Sequence, residues 1–228
     1  VKLGAWSWDT DTGEEFRVGA GLAEPYPITW CAVEYFEATG AILQMLLTKN
    51  SPNVPHQGRT LLHHAILCSN AAAVNVLLDN GAAIERPTSK ILTRPLHMAA
   101  RLGLPIILRA LLNAGSEIDS RTNSGDTALM LCAKYRQEEC LKVLAEAGAD
   151  FGLVNNGEYT LQKIACANKW SSVFQQSVLE LIKSGKIPQS SNTFTFSPLL
   201  FSAQAGDSNA LKTVIALPGI DLNQADDS

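Results

Sequence analysis

Apolar residues run through the middle of this chain in paired short bursts, with small or polar residues at the breaks. The clearest pair lies between Arg94 and Ile118. Pro95, Leu96 and His97 open a turn, and Ala99 and Ala100 continue on the tight face of a short helix that Gly103 ends. A second helix from Pro105 carries Ile106, Ile107, Leu108, Ala110, Leu111 and Leu112. Gly115 closes it, and Glu117-Ile118-Asp119 leads out in extended form. Helices this short cannot enclose their own apolar side, so the pair needs a similar pair above and below it.

Similar pairs are present. His63 lies 34 residues before His97, and Met130 lies 33 residues after it. Gly81, Gly115 and Gly148 repeat at matching places. The segments GRTLLHHAILCSNAAAVNVLLDNGAAIE and GDTALMLCAKYRQEECLKVLAEAGAD fit the same template without a gap. The pattern G-x-T-P-L-H-x-A-A…L-L-x-x-G-A-D that they follow resembles the ankyrin repeat. The resemblance implies an all-α solenoid of about six helix-turn-helix repeats, near 25–54, 55–87, 91–121, 122–154, 155–187 and 194–226.

The outlying stretches are less regular. Residues 1–24 predict a β-hairpin, with strands from Lys2 to Trp8 and from Glu14 to Val18 joined by a turn at Asp9 to Gly13. Its apolar side chains are expected to pack on the first helices as an N-terminal cap, ahead of a repeat domain at 25–228. In repeat five, Tyr159 replaces the usual Thr and Gln162 the usual His. Gly185 also comes late: 28 residues after Gly157, against 23 between Gly58 and Gly81. This predicts an insertion between the two helices near Lys169 to Phe174. The finger from Arg86 to Thr93 carries Ile91 and Leu92 near its tip, and the polar stretch from Ser184 to Thr195 is expected to be mobile. The chain starts on Val and ends in what looks like the start of another finger, so we expect a piece of a longer protein.

Composition narrows the function. The net charge is −4, with 46% apolar residues and no basic surplus, which disfavours nucleic acid as a partner. No apolar run is long enough to span a membrane, and no secretory pattern opens the chain. The five cysteines contain no CxxC pair and are expected to be reduced thiols, which places the protein in the cytoplasm or nucleus. His64 and Cys68 share a helix face, but no third ligand accompanies them, so no metal or other cofactor is expected. Asp9 and Asp11 lack the glutamate of a calcium loop. No nucleophile-base order and no phosphate loop is present, so the chain is expected not to be an enzyme.

The resemblance also implies structural roles for His63 and His97, which would hydrogen-bond backbone across the neighbouring turn. It places the binding surface on the concave groove and the finger tips. By register, the groove positions are assigned to Tyr35, Phe36, His64, Met98, Arg101, Lys134, Tyr135, Lys163 and Phe201. Arg101, Lys134 and Lys163 fall on consecutive repeats and are expected to form a basic stripe rimmed by aromatic residues and Met98. That stripe suits a protein or peptide partner with acidic and apolar side chains. An alternative is a substrate-recruiting domain of a larger enzyme, such as a ubiquitin ligase or acyltransferase, or a client-masking chaperone. The opening KLGAWSWDTDTGEEF is also similar to that of plant ankyrin-repeat proteins of unassigned role.

Overall fold

The computed structural model describes residues 5–8, 15–18, 27–35, 40–56, 58–88, 92–218, 220 and 222. Two short strands, β1 (Ala5–Trp8) and β2 (Glu15–Val18), pair antiparallel with Ala5 opposite Val18. The turn expected between them, and the packing of their side chains, lie outside the described residues. Twelve helices follow among the described residues, in six pairs: α1 (Ile28–Tyr35) with α2 (Ala41–Leu47), α3 (Leu61–Leu67) with α4 (Ala71–Asp79), α5 (Pro95–Leu102) with α6 (Pro105–Asn113), α7 (Ala128–Tyr135) with α8 (Glu138–Glu146), α9 (Leu161–Ala167) with α10 (Ser171–Lys183), and α11 (Pro198–Gln204) with α12 (Ser208–Ile215).

The odd-numbered helices form an inner row and the even-numbered helices an outer row, successive members packing together except α9 and α11. One hydrophobic core runs through the layers. Val74, Leu77, Leu108, Leu111, Leu141 and Leu144 are completely enclosed, while Val76, Leu78 and Leu112 pack against them half-buried. Small residues at the inner contacts (Ala65, Ala99, Ala100, Ala133 and Ala165) let the inner helices come close.

The inner helices start alike. Thr60, Thr127, Thr160 and Ser197 each cap one by accepting a hydrogen bond from the backbone N–H three residues on, at His63, Met130, Lys163 and Leu200. Arg94 stands at this place before α5. Nine residues after each cap comes a left-handed residue that turns the chain toward the outer helix: Ser69, Gly103, Arg136, Lys169 and Gly206.

This frame corrects the alignment of repeat five by one residue. Thr160, not Tyr159, is the cap, and Lys163, not Gln162, stands at the histidine place. The left-handed residue two before the cap is Gly58 or Gly125 in other repeats, with φ of 77° at both. In repeat five it is Glu158, at φ 60°. The remaining extra length is no loop. The outer helix α10 has 13 residues where α4, α6 and α8 have nine. Four residues are about one α-helical turn, so the longer helix keeps its buried face. Trp170 precedes α10 and is 95% enclosed, 6.2 Å from the Phe174 ring.

The stretch 184–195, expected to be mobile, is tied to the preceding finger. Phe151 donates its N–H to the Gln189 carbonyl at 2.9 Å, Asp150 accepts from the Ser191 N–H at 2.9 Å, and the Thr195 hydroxyl donates to the Gly152 carbonyl. Gly152 permits the approach, because a Cβ there would lie 2.7 Å from the Asn192 nitrogen. In the irregular finger Leu92 is exposed at φ 50°, while Ile91 lies outside the described residues.

His97 bridges two turns. Its Nδ1 accepts from the Arg94 N–H at 3.3 Å, and its Nε2 lies 2.9 Å from the Ser120 carbonyl of the next finger. His63 Nδ1 accepts from the Thr60 N–H at 3.2 Å. The longer finger after it leaves Nε2 without a well-formed bond, although the Thr93 backbone acts on it. Burial lowers the pKa of both rings, that of His63 to about 4. Both are therefore neutral in the fold.

Three outcomes follow from this packing. Leu111→Asp buries an unpaired charge between layers and abolishes the cooperative melt followed by circular dichroism; a wild-type curve would refute the layer assignment. Glu158→Gly relieves a left-handed non-glycine residue and stabilises by about 1 kcal/mol, read as a rise in denaturation midpoint, while Gly125→Ala lowers it. The histidines make stability pH-dependent. The unfolded chain takes up protons near pH 6.5 and the folded chain only near 4, so the stability present above pH 6.5 falls as pH drops from 6.5 toward 4. A tenfold loss of proton affinity on folding corresponds to about 1.4 kcal/mol. Melts across this range should show the loss, and His63→Gln should flatten it.

Candidate functional site

The concave face is built by counting along each inner helix from its cap. Residues at the fourth place point into the neighbouring layer. They are His64, Met98, Leu131, Ile164 and Phe201, all at least 93% enclosed. This corrects three expected contact residues. His64 stacks on Trp30 with ring centroids 4.4 Å apart and approaches the Glu34 carboxylate at 3.9 Å. Met98 fills the core, and Phe201 packs against Phe196 and Phe174 at 5.5 and 6.1 Å. His64 and Met98 present no open face to a partner, and Phe201 keeps only a 7% exposed edge.

The seventh place, where the groove row was expected, holds Leu67, Arg101, Lys134, Ala167 and Gln204, all half-buried or exposed. Arg101 and Lys134 therefore stand one above the other on α5 and α7, which pack closely. Arg101 is half-buried, and its carbonyl accepts from Gln137 Nε2 at 3.1 Å. Lys134 is exposed, with Nζ 3.9 Å from an Asp126 carboxylate oxygen. Asp126 is itself held by Asn155 and Ser124 at 2.8 and 2.9 Å. A single long contact of this kind with an exposed lysine is worth little, so the ammonium keeps most of its capacity for a partner. Tyr135 follows Lys134 and is half-buried.

Lys163 does not continue the Arg101–Lys134 row. It stands at the third place, in the row of His63 and His97, about one helical turn closer to the fingers, and it is exposed. The side chain of Tyr35 and the whole of Phe36 lie outside the described residues.

The inner row opens at its C-terminal end. The helices α9 and α11 lack the close packing that joins every earlier pair of successive inner helices, although the outer helices α10 and α12 remain in contact. A groove of about 720 Å³ occupies the gap, with Lys163, Cys166, Phe194, Leu200 and Phe201 among its lining residues. Lys163 and Phe201, both expected at the site, line this groove, but the opening between the two helices was not expected. The absence of a histidine at the repeat-five junction, together with the long finger after it, was the available signal.

Among the described residues no cluster of three His, Cys, Asp or Glu side chains is placed to hold a metal, and no helix is long and apolar enough to cross a membrane. Cys132 and Cys140 share a hydrogen bond inside repeat four. Burial holds Cys132 well above the ordinary thiol range, and the bond from Cys132 lowers Cys140. Both are enclosed and offer no nucleophile to a substrate.

Comparison with known proteins agrees with the architecture. A family model described as three copies of ankyrin repeats matches residues 88–155, and a single ankyrin-repeat model matches 57–86. The chain is 36% identical over 120 residues to the RelA-associated inhibitor of Mus musculus, which covers 51% of this chain and 14% of that protein. It is 31% identical over 98 residues to Ankyrin repeat domain-containing protein 37 of Homo sapiens, covering 43% of this chain and 60% of the relative. It is 29% identical over 116 residues to the E3 ubiquitin-protein ligase KEG of Arabidopsis thaliana, covering 50% of this chain and 7% of the ligase. The chain thus spans less than two thirds of the length of each of these three relatives. The matched pattern and the stacked helix pairs carry one conclusion: residues 57–86 and 88–155 of this chain are ankyrin repeats, which mediate protein binding.

Proposed function

We propose that the chain is a non-enzymatic adaptor whose concave face takes an extended segment of a partner protein bearing acidic and apolar side chains. The observation that carries this reading is the placement of Arg101 and Lys134 at the same position of two successive, closely packed inner helices. Packed helices lie about 8–10 Å apart. A polyproline-II segment has three residues per turn and rises about 3.1 Å per residue, so residues i and i+3 lie on one face about 9 Å apart. The fitting partner segment therefore carries carboxylates three residues apart, with an apolar residue placed to meet Tyr135. Five free cysteines suit a reducing compartment, the cytoplasm or the nucleus. Likeness to part of a ubiquitin ligase favours a second reading, in which the same groove recruits a substrate for a catalytic domain elsewhere in a longer chain.

Affinity capture from a reducing lysate tests the groove, with wild type compared against Arg101→Glu/Lys134→Glu. A partner held by wild type should lose at least about tenfold in affinity to the variant, about 1.4 kcal/mol. Its binding should also weaken as salt rises, because the attraction is between exposed charges. Equal retention by both proteins, with no salt dependence, would refute the groove reading.

A further inference from the structure

The gap between α9 and α11 has a structural cause. At the junction after α5, His97 ties the inner helix to the next finger through the Ser120 carbonyl. After α7 the same place is filled by Met130, which is 98% enclosed. After α9 the place holds Lys163, whose exposed side chain does neither. The following finger is long and is anchored instead to the finger before it, through Asp150 and Gly152. Phe196 and Phe201 then wedge the last layer, Phe196 lying 5.0 Å from Phe151 and 5.5 Å from Phe201. The inner helices separate while the outer ones stay in contact, and a groove of about 720 Å³ is left between them.

Its lining is chemically specific. Phe194 is 61% exposed at its edge, an unusual state for a phenyl ring on a finger, and Leu200 and Phe201 add apolar wall. Lys163 has no carboxylate within ion-pair distance among the described residues. Glu158 also lines the groove, so a ligand with one carboxylate suits it better than a run of them. The groove reaches from the finger residues across α9 to Gln204 on α11.

We infer that this opening is the anchor pocket for a partner peptide. The peptide inserts one aromatic or branched aliphatic side chain against Phe194, Leu200 and Phe201, and an adjacent carboxylate pairs with Lys163. The inference rests on the concave-groove reading and adds to it a second, separate contact point. An apolar anchor seated in a pocket supplies most of the energy of such contacts, and the charge pair sets which neighbour is accepted.

The test uses an immobilised array of ten-residue Gly/Ser peptides whose central pair is Phe, Leu or Ser followed by Asp, Asn or Lys. The full chain should retain Phe-Asp and Leu-Asp peptides about tenfold better than Ser-Asn. Lys163→Glu should reverse the preference from Asp to Lys, and Phe194→Ser should erase the preference for Phe and Leu. Both side chains are exposed, so both variants should melt as wild type; if either melts lower, Lys163→Gln or Phe194→Thr replaces it. Equal retention of Asp and Lys peptides, retention unmoved by both variants, or no retained peptide overturns the pocket. If Arg101→Glu/Lys134→Glu abolishes lysate capture while Lys163→Glu leaves both capture and the array unchanged, the groove reading stands and the pocket falls. If neither set of variants changes any binding, both fall.

Discussion

Every layer of this chain depends on burial that its own two helices cannot supply. The outer helices carry Val74, Leu77, Leu108, Leu111, Leu141 and Leu144 at full enclosure, and each is covered partly by a residue of a neighbouring layer. The hydrophobic term is roughly proportional to area removed from water, so a layer taken alone would leave much of this area wet. That requirement fixes the inner contacts to small residues. It also fixes which side chains remain for function, because a side chain needed between layers is lost to the groove. His64, Met98 and Phe201 are lost in this way, and Arg101 and Lys134 are not.

The repeat fold was legible because its signals are local and recur. A capping Thr or Ser, a small residue five places on (Ala65, Ala99, Cys132, Ala165 and Ser202) and a closing glycine (Gly81, Gly115, Gly148 and Gly185) recur, and together they specify helix, turn and helix. The site was harder to read. One residue separates the third place from the fourth on a helix, and one residue turns a side chain by about 100°. Repeat five therefore misled. Its Gly157 looks like the glycine of the finger, yet the left-handed place is taken by Glu158, and the whole helix shifts by one. Lys163 then moves from the fourth place to the third, the row of the histidines, and neither is the seventh place of Arg101 and Lys134. A rule that only glycine takes left-handed φ holds statistically, and here the hydrogen bonds of the finger override it.

Length misled in a second way. Late arrival of Gly185 suggested a loop, but four residues make one turn of helix and can be added without exposing the buried face. Adding two residues instead would have rotated Val178, Leu181 and Ile182 out of the core. The polar linker that follows likewise looked mobile by composition. Composition does not show that Asp150 and Gly152 lie opposite it and accept its donors. These are contacts between residues 41 and 43 positions apart, and single-sequence patterns hold no direct record of them.

Packing also explains why the two cationic features belong to different chemistry. Arg101 and Lys134 sit on closely packed helices, so in the proposed reading they would meet charge along a segment laid across the groove. Lys163 sits where the packing has opened, beside exposed Phe194, so in that reading it would meet charge next to an inserted side chain. An exposed cation alone distinguishes partners weakly, because salt screens it and water competes for it. A cation beside a partly desolvated apolar pocket discriminates more, since a wrong neighbour is held against it when the anchor is seated. Specificity in this chain should then reside at the junction where the repeat pattern fails, and the regular repeats supply the platform that positions it.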